Sequence, residues 1–466
     1  MTLFKKDLSV NANCSIAERT SVAFGSAGAN MPLYVVTLYF LYFCTDYLGL
    51  NSAIVGTIFL VTKMFDGVSD LVMGTIIDRT KSKMGKARVW ILRGCIPYGI
   101  ASILLFTIPT SVPSAVTYVY VFVAYNLVNT ITFTCCCLSV NTLNCLMTQN
   151  AYERGILGIF NMFGTVAGQT IINTFTLQML AAFGDDRKAW VIVVAIYAGI
   201  SVILQLLCVR GVTERVTLYG EETEKKETVS VIDSLKALLH NKYWIMFTVV
   251  YTLIQIYAAV FMASLVYYCT VCMGNANYMS SLANGVTIFQ LIALMLSFIL
   301  IKRFGKAKTF NIGVVGMLVA MAIKAVGGDS FVVQMSMSAL HGFTMGIASS
   351  VVSGMCSDTV EYGEWKTGVR TEGVAFGSMS LAAKIGGGLG SAILGWLLVL
   401  GGYDASAAVQ SASAIFAIKA GYNYIPFISC AIMLVIMAFY KLDKEYPQII
   451  KELEERKKNQ NVTEEG

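Results

Sequence analysis

Lys63, Asp66 and Asp70 follow one another at i, i+3 and i+7 inside the apolar run 51–77. On a helix this spacing puts all three on one face. Two carboxylates one turn apart offer hard oxygens, which can hold Na⁺, or one of them can hold a proton. Lys63 can neutralise the acids when the ion is absent. A structural ion network between packed helices is the plainer reading of the same stripe. Against it stands the cost of a charge inside a membrane span, ~2.5–3.5 kcal/mol by insertion scales, which is why such residues usually mark function. Lys384, in the run 371–402, is followed by glycines that permit close packing. A buried lysine needs an anion, either an acid across the bundle or a substrate. Lys324 lies three residues before Gly327, near the end of its run. It is expected to snorkel to the membrane surface and is assigned no role. His341 reads as a hydrogen-bonded packing residue rather than a proton relay.

The run 114–147 holds Asn126, Asn129, Thr130, Thr132, Thr134, Ser139, Asn141 and Asn144. A lipid-facing helix does not tolerate so many polar groups. They either line a wet cavity or hydrogen-bond to neighbouring helices, and the cavity is the reading adopted. Asn30 invites the same one. Cys135, Cys136 and Cys137 are consecutive, point about 100° apart on a helix and cannot form one site. No cysteine spacing suggests a metal centre or a disulfide framework.

Helices that cross a membrane must hold these residues. Of 466 residues, 56% are hydrophobic and 13% charged, against roughly 25% charged in a soluble domain. Mean hydropathy is +0.66. Segments of ~20 apolar residues fall at 20–45, 51–77, 90–109, 114–147, 155–182, 189–209, 243–271, 277–301, 310–328, 330–357, 371–402 and 421–440. The N-terminal residues are polar, and no cleavable signal peptide is visible. Arg79, Lys81, Lys83, Lys86 and Arg88 follow the second span, and Lys302, Arg303, Lys306 and Lys308 follow the eighth. The links after spans 1, 3 and 7 hold no Lys or Arg, and that after span 11 holds only Lys419. The positive-inside rule then puts both termini in the cytoplasm. Met84-Gly85-Lys86-Ala87-Arg88 after span 2 and Phe304-Gly305-Lys306-Ala307-Lys308 after span 8 stand at equivalent places of two halves. The expected organisation is a bundle at 1–209, a polar cytoplasmic linker at 210–242, a second bundle at 243–440 and a cytoplasmic tail at 441–466. Two parallel six-span halves around a midplane site describe the major facilitator architecture.

Residues 65–90 resemble the glycoside–pentoside–hexuronide:cation symporter family, which includes the melibiose carriers. They read Phe65-Asp66-Gly67-Val68-Ser69-Asp70, then Met73-Gly74, Asp78-Arg79-Thr80-Lys81-Ser82-Lys83 and Gly85-Lys86. The run from Tyr42 to Leu50, the pair Glu153-Arg154 and the run from Asp358 to Gly373 extend the likeness, which covers about 17–440. The resemblance implies that Asp66 and Asp70 coordinate the coupling cation. It adds Thr134 and Ser69, the latter where the family has asparagine. It implies a role near both ion and solute for Lys384, with Ser380 one turn earlier where melibiose carriers have threonine. Those carriers grip a galactosyl unit with two acids, a tryptophan and an arginine. The matching positions here are Asn30, Cys137, Asn141 and Met162. The cation machinery is kept and the galactoside clamp is not.

The expectation is therefore an all-α membrane protein of the major facilitator fold, with twelve transmembrane helices in two six-helix bundles. It is a cell-membrane symporter of a sugar or glycoside with Na⁺ or H⁺, pentosides or hexuronides being favoured over galactosides. Asp66, Asp70, Ser69 and Thr134 bind the cation and Lys63 is their charge partner. Asn30, Cys137, Asn141, Ser380 and Lys384 face the solute. Arg154, Asp358, Glu361, Arg370 and Glu372 are candidate cytoplasmic gate partners, or members of solvated loops. Sugar, coupling cation and membrane lipid are the expected partners. No cofactor beyond the ion and no nucleic acid is expected. The alternative within the class is a carrier of an organic acid, a lipid or a drug. A membrane enzyme or sensor finds no support, since neither a histidine cluster nor a phosphate loop is present.

Overall fold

A computed structural model describes residue 9 and residues 13–109, 111–216, 238–368 and 372–464. Among these described residues, twelve helices are long and apolar enough to cross a membrane: Ile16–Tyr47, Ser52–Arg79, Arg88–Phe106, Ser114–Met147, Tyr152–Ala182, Arg187–Gly211, Lys242–Cys272, Tyr278–Phe304, Lys306–Val326, Phe331–Thr367, Gly373–Leu400 and Ala412–Ala438. They are spans 1 to 12. Polar residues at the span starts explain where the helices begin. Ser15 and Glu18 form a reciprocal cap on span 1. The Asn51, Asn150, Asp186 and Asn241 side chains accept first-turn N–H groups of spans 2, 5, 6 and 7. Each such cap is worth ~1 kcal/mol.

Two spans differ from the hydropathy reading. Span 10 runs to Thr367 rather than stopping at 357, and its polar last turns end at Gly368 in the left-handed conformation. Span 12 begins at Ala412, well before 421, under a cap from Ser411 to the Ala414 N–H. Lys419 therefore lies in the helix, where Asp329 holds it at 2.9 Å.

The chain forms two compact units, Met1–Glu224 with Gly402–Gln410, and Lys225–Gly401 with Ser411–Gly466. In the first unit span 1 packs against spans 5 and 6, span 2 against span 4, and span 3 against spans 4 and 6. The second unit repeats the pattern: span 7 against spans 11 and 12, span 8 against span 10, and span 9 against spans 10 and 12. Spans 1 and 7 both close in a π turn, Phe43–Tyr47 and Tyr268–Cys272. Gly49 and Gly274 follow with φ +63° and +67°, a conformation glycine adopts without strain.

The loops after spans 2 and 8 are built alike too. Gly85 and Gly305 both have positive φ. In the first unit the Glu214 carboxylate accepts the N–H groups of Lys86, Ala87 and Arg88 at 2.7, 3.1 and 2.7 Å. In the second, Asp443 accepts the Ala307 N–H at 2.8 Å. Each acid follows the last span of its own half and covers the start of that half's third helix. The stretch expected to open the linker is thus folded into the first unit through Arg215. Arg215 is 1% exposed and pairs with buried Glu18 at 2.8 Å. Residues 217–237 of that expected linker lie outside the described residues.

Candidate cation and solute site

Span 2 turns Met64, Phe65, Val68 and Val72 outward and buries Thr62 and Asp66. The apolar face meets lipid and the polar face meets the bundle, the inverse of a soluble amphipathic helix. Lys63 Nζ donates to Asp66 Oδ2 at 2.9 Å. Asp66 Oδ1 accepts from the Thr130 hydroxyl at 2.5 Å. One turn later Asp70 Oδ1 accepts from Thr134 Oγ1 at 3.2 Å. The Ser69 hydroxyl donates to the Thr130 carbonyl. Asn126 joins the same pair of spans through Thr62 Oγ1 at 2.9 Å. Span 4 brings these groups in register through a π turn, Leu127–Phe133, that ends where Thr134 begins. Such turns are frequent at functional sites.

The donor set is all oxygen: two carboxylates, the hydroxyls of Ser69, Thr130 and Thr134, and the Thr130 carbonyl. Hard cations take such ligands, and a carboxylate takes a proton. Among the described residues no three His, Cys, Asp or Glu side chains gather, so this is not a soft-metal constellation. Lys63, Asp66, Ser69, Asp70 and Thr134, picked from spacing and resemblance, are brought together. Thr130 was counted only as one of several polar residues of span 4, yet it touches both acid-bearing turns.

A neutral polar chain crosses the first unit nearby in sequence. Ser26 Oγ donates to Asn161 Oδ1 at 2.7 Å, Asn161 Nδ2 to Asn141 Oδ1 at 3.2 Å, and Asn141 Nδ2 to Cys137 Sγ at 3.7 Å. Spans 1, 5 and 4 are tied by it. Asn161, not the neighbouring Met162, is the span 5 residue that meets Asn141. Asn30 turns its amide onto the Ser26 carbonyl of its own helix at 2.8 Å. Ser380 and Lys384 belong to span 11 of the second unit, Ser380 exposed and Lys384 half-buried.

The candidate gate residues are held within their own units. Arg154 caps the end of span 4, donating to the Thr148 and Cys145 carbonyls at 2.8 and 3.3 Å. Asp358 pairs with Lys306 at 2.5 Å, and Glu361 accepts from the Tyr446 hydroxyl of the tail helix Leu442–Glu464. Arg370 and the side chain of Glu372 lie outside the described residues.

Lys324 corrects an expectation. It does not snorkel: it is 1% exposed, with Nζ 3.1 Å from the Tyr422 hydroxyl and 4.7 and 4.8 Å from the ring centres of Phe261 and Tyr422. The reason is direction. Lys324 continues the buried stripe Met317, Ala320 and Met321 of span 9, so it faces the bundle, and its side chain tilts back toward the helix N-terminus, away from the membrane surface. His341 is buried and meets the Tyr257 hydroxyl at 2.5 Å through Nε2, as a packing histidine does.

Residues 21–444 match the family described as MFS/sugar transport protein. The chain is 30% identical over 458 residues, 96% of this chain and 93% of the other, to the isoprimeverose transporter of Lactiplantibacillus pentosus. It is 26% identical over 410 residues, 86% of each chain, to a protein of Escherichia coli (strain K12) named provisionally as a glycoside/cation symporter. A solved bacterial homologue of the human lysosomal transporter Spinster matches with a TM-score of 0.67 at 12% identity, covering 94% of this chain and 99% of that one. At that identity the likeness speaks to fold alone. With most of its length matched and twelve apolar helices in two units, the chain belongs to the MFS/sugar transport family, a family of membrane transporters rather than enzymes.

Proposed function

We propose that this protein takes up a sugar or glycoside across the cell membrane together with Na⁺ or H⁺. The observation that carries the reading is Asp66 held between Lys63 and Thr130, one turn from Asp70 and Thr134. Lys63 occupies the place a cation would take on Asp66. An arriving cation competes with that ammonium, and Ser69, Thr130 and Thr134 supply the remaining oxygens. The two bundles, expected at 1–209 and 243–440, rock about a midplane site, with both termini in the cytoplasm. Cation binding favours solute binding, and only differential affinity between states can couple the two. Lys384 and Ser380 act on the solute from span 11. Arg154, Asp358, Glu361, Arg370 and Glu372 hold the cytoplasmic side closed when the site opens outward.

The cargo reading is pentoside or hexuronide rather than galactoside. Asn30, Cys137, Asn141, Asn161 and Ser26 are all neutral, and neutral groups make weaker hydrogen bonds to sugar hydroxyls than carboxylates do. Lys384 supplies an attractive charge for a sugar acid. The test is competition against one labelled ligand at fixed Na⁺ and pH. Pentosides or hexuronides are expected to displace it better than melibiose. Melibiose displacing it best would overturn the cargo reading and leave coupling standing. Vesicle uptake with a sugar panel, with and without a Na⁺ or pH gradient, tests coupling itself: uptake indifferent to both gradients would sink it.

A further inference from the structure

A cavity of about 600 Å³ opens at one end of the second unit. Span 8 ends there, span 9 begins, and span 12 passes into the tail helix. Lys306, Lys308, Lys441 and Lys444 line it, with Ile301, Phe304 and Met437 on its apolar side. Two carboxylates also reach the wall, and both are engaged: Asp358 with Lys306, and Asp443 with the Ala307 N–H. Lys308, Lys441 and Lys444 are exposed and have no acidic partner among the described residues. Asn311 Oδ1 is a buried acceptor with no hydrogen-bond partner there.

The cavity continues outward. An adjoining groove of about 420 Å³ shares Phe304, Lys308 and Asn311 with it and runs along span 9 past Ile312 and Val315. Phe304 at the end of span 8 and Ile312 and Val315 on span 9 are exposed on helices that span the membrane, so this groove faces hydrocarbon. A polar, positively charged chamber thus opens into an apolar channel at the level where apolar spans give way to charged loops. That sequence of environments matches a lipid from headgroup to chain. The corresponding loop of the first unit has a cavity of its own, lined by Lys81, Lys83, Lys86 and Arg88 together with Thr80, Ser82, Met84, Gly85, Thr213 and Glu214.

We propose that this cavity is a binding site for an anionic phospholipid. The phosphodiester sits among Lys308, Lys441 and Lys444. A headgroup or glycerol hydroxyl donates to Asn311 Oδ1, and one acyl chain lies in the groove over Phe304, Ile312 and Val315. Basic pockets between membrane helices bind anionic headgroups in this manner. The inference rests on the chain spanning a membrane and not on its cargo, so its failure leaves the transport reading intact.

The test is native mass spectrometry of the full-length protein titrated with phosphatidylglycerol, phosphatidylcholine or inorganic phosphate. Phosphatidylglycerol is expected to bind more tightly than either. Replacing Lys308, Lys441 and Lys444 together by Gln should weaken it by about fivefold per lysine, and replacing them by Arg should restore it. Val315→Trp fills the groove and should weaken phosphatidylglycerol while leaving phosphate unchanged. Equal binding of phosphatidylcholine, or indifference to the triple Gln variant, overturns the proposal. Phosphate binding as tightly, with no effect of Val315→Trp on either ligand, makes this a free-anion site and overturns it too.

Discussion

Lys63 and Lys324 both lie in apolar spans, one in each unit, and they live in opposite surroundings. Lys63 meets the Asp66 carboxylate at 2.9 Å. Lys324 has no acidic partner among the described residues and meets two aromatic faces and a phenol. An ammonium over an aromatic ring gains ~2 kcal/mol or more when desolvated, less than a carboxylate gives in the same medium. The first arrangement is an exchangeable pair: a cation can replace the ammonium on Asp66 without leaving the carboxylate bare. The second has nothing to exchange, since no carboxylate waits for a substitute. The difference separates a lysine that serves an ion site from one that packs a bundle, although hydropathy alone ranks the two alike.

The largest expected effect tests the first half of that contrast. Asp66→Asn keeps the shape and removes the charge, so accumulation in vesicles should fall to that of vesicles lacking the protein. The same change strands Lys63, and breaking a buried pair from one side costs ~3–5 kcal/mol. The double variant Asp66→Asn with Lys63→Met removes that penalty. It should recover the thermal stability of the parent and still fail to accumulate solute. Cation-driven accumulation by the double variant would show that the pair is structural.

Lys324→Met tests the second half. A flexible apolar chain fills the same space and removes the cost of burying an ammonium that has no carboxylate partner among the described residues. The melting temperature should hold or rise, and cation-dependent uptake should persist. Loss of uptake in a stable variant would break the comparison by giving Lys324 a working role.

A smaller effect probes what the two units share. Glu214→Ala leaves three N–H groups without their acceptor and Asp443→Ala leaves one. Each lost cap costs on the order of 1 kcal/mol, so both variants should lower the melting temperature, Glu214→Ala more. A rise in either would argue that these acids repel rather than cap.

The sequence carried the site in proportion to how regular the helix is. Lys63, Asp66 and Asp70 were legible because span 2 is an unbroken helix and a charge in lipid is costly. Thr130 was not, because the π turn Leu127–Phe133 inserts an extra residue per turn and breaks the phase by which one polar residue of span 4 is told from the next. Asn161 is one of four amides in span 5, with Gln169, Asn173 and Gln178, and its partners Ser26 and Asn141 come from other spans. Lys324 was placed by its depth, whereas the helix face it shares with Met317, Ala320 and Met321 decides its surroundings. Arg215 looked like linker because it is charged; its partner Glu18 lies at the start of the chain's first span, beyond the reach of local pattern.

The smallest expected effect concerns Thr134, whose hydroxyl lies 3.2 Å from Asp70 Oδ1. It is the long contact of the site, beside the 2.5 Å bond from Thr130 to Asp66. If both hydroxyls belong to one cation shell, removing either must weaken the ion before it weakens the solute. A hydrogen bond of this kind is worth ~0.5–1.5 kcal/mol, which is about two- to tenfold in apparent cation affinity. Thr134→Ala should therefore raise the half-saturating Na⁺ or H⁺ concentration by that factor, with maximal uptake little changed once the ion saturates. Thr134→Ser keeps the oxygen and should stay close to the parent. Thr130→Ala removes the shorter bond and should shift the same curve further. The readout is uptake against cation concentration at saturating solute. A fall in maximal uptake with no shift in the cation curve would place Thr134 in the packing of spans 2 and 4 instead of the ion shell. The first unit's claim to the ion would then rest on Asp66, Asp70 and Thr130 alone.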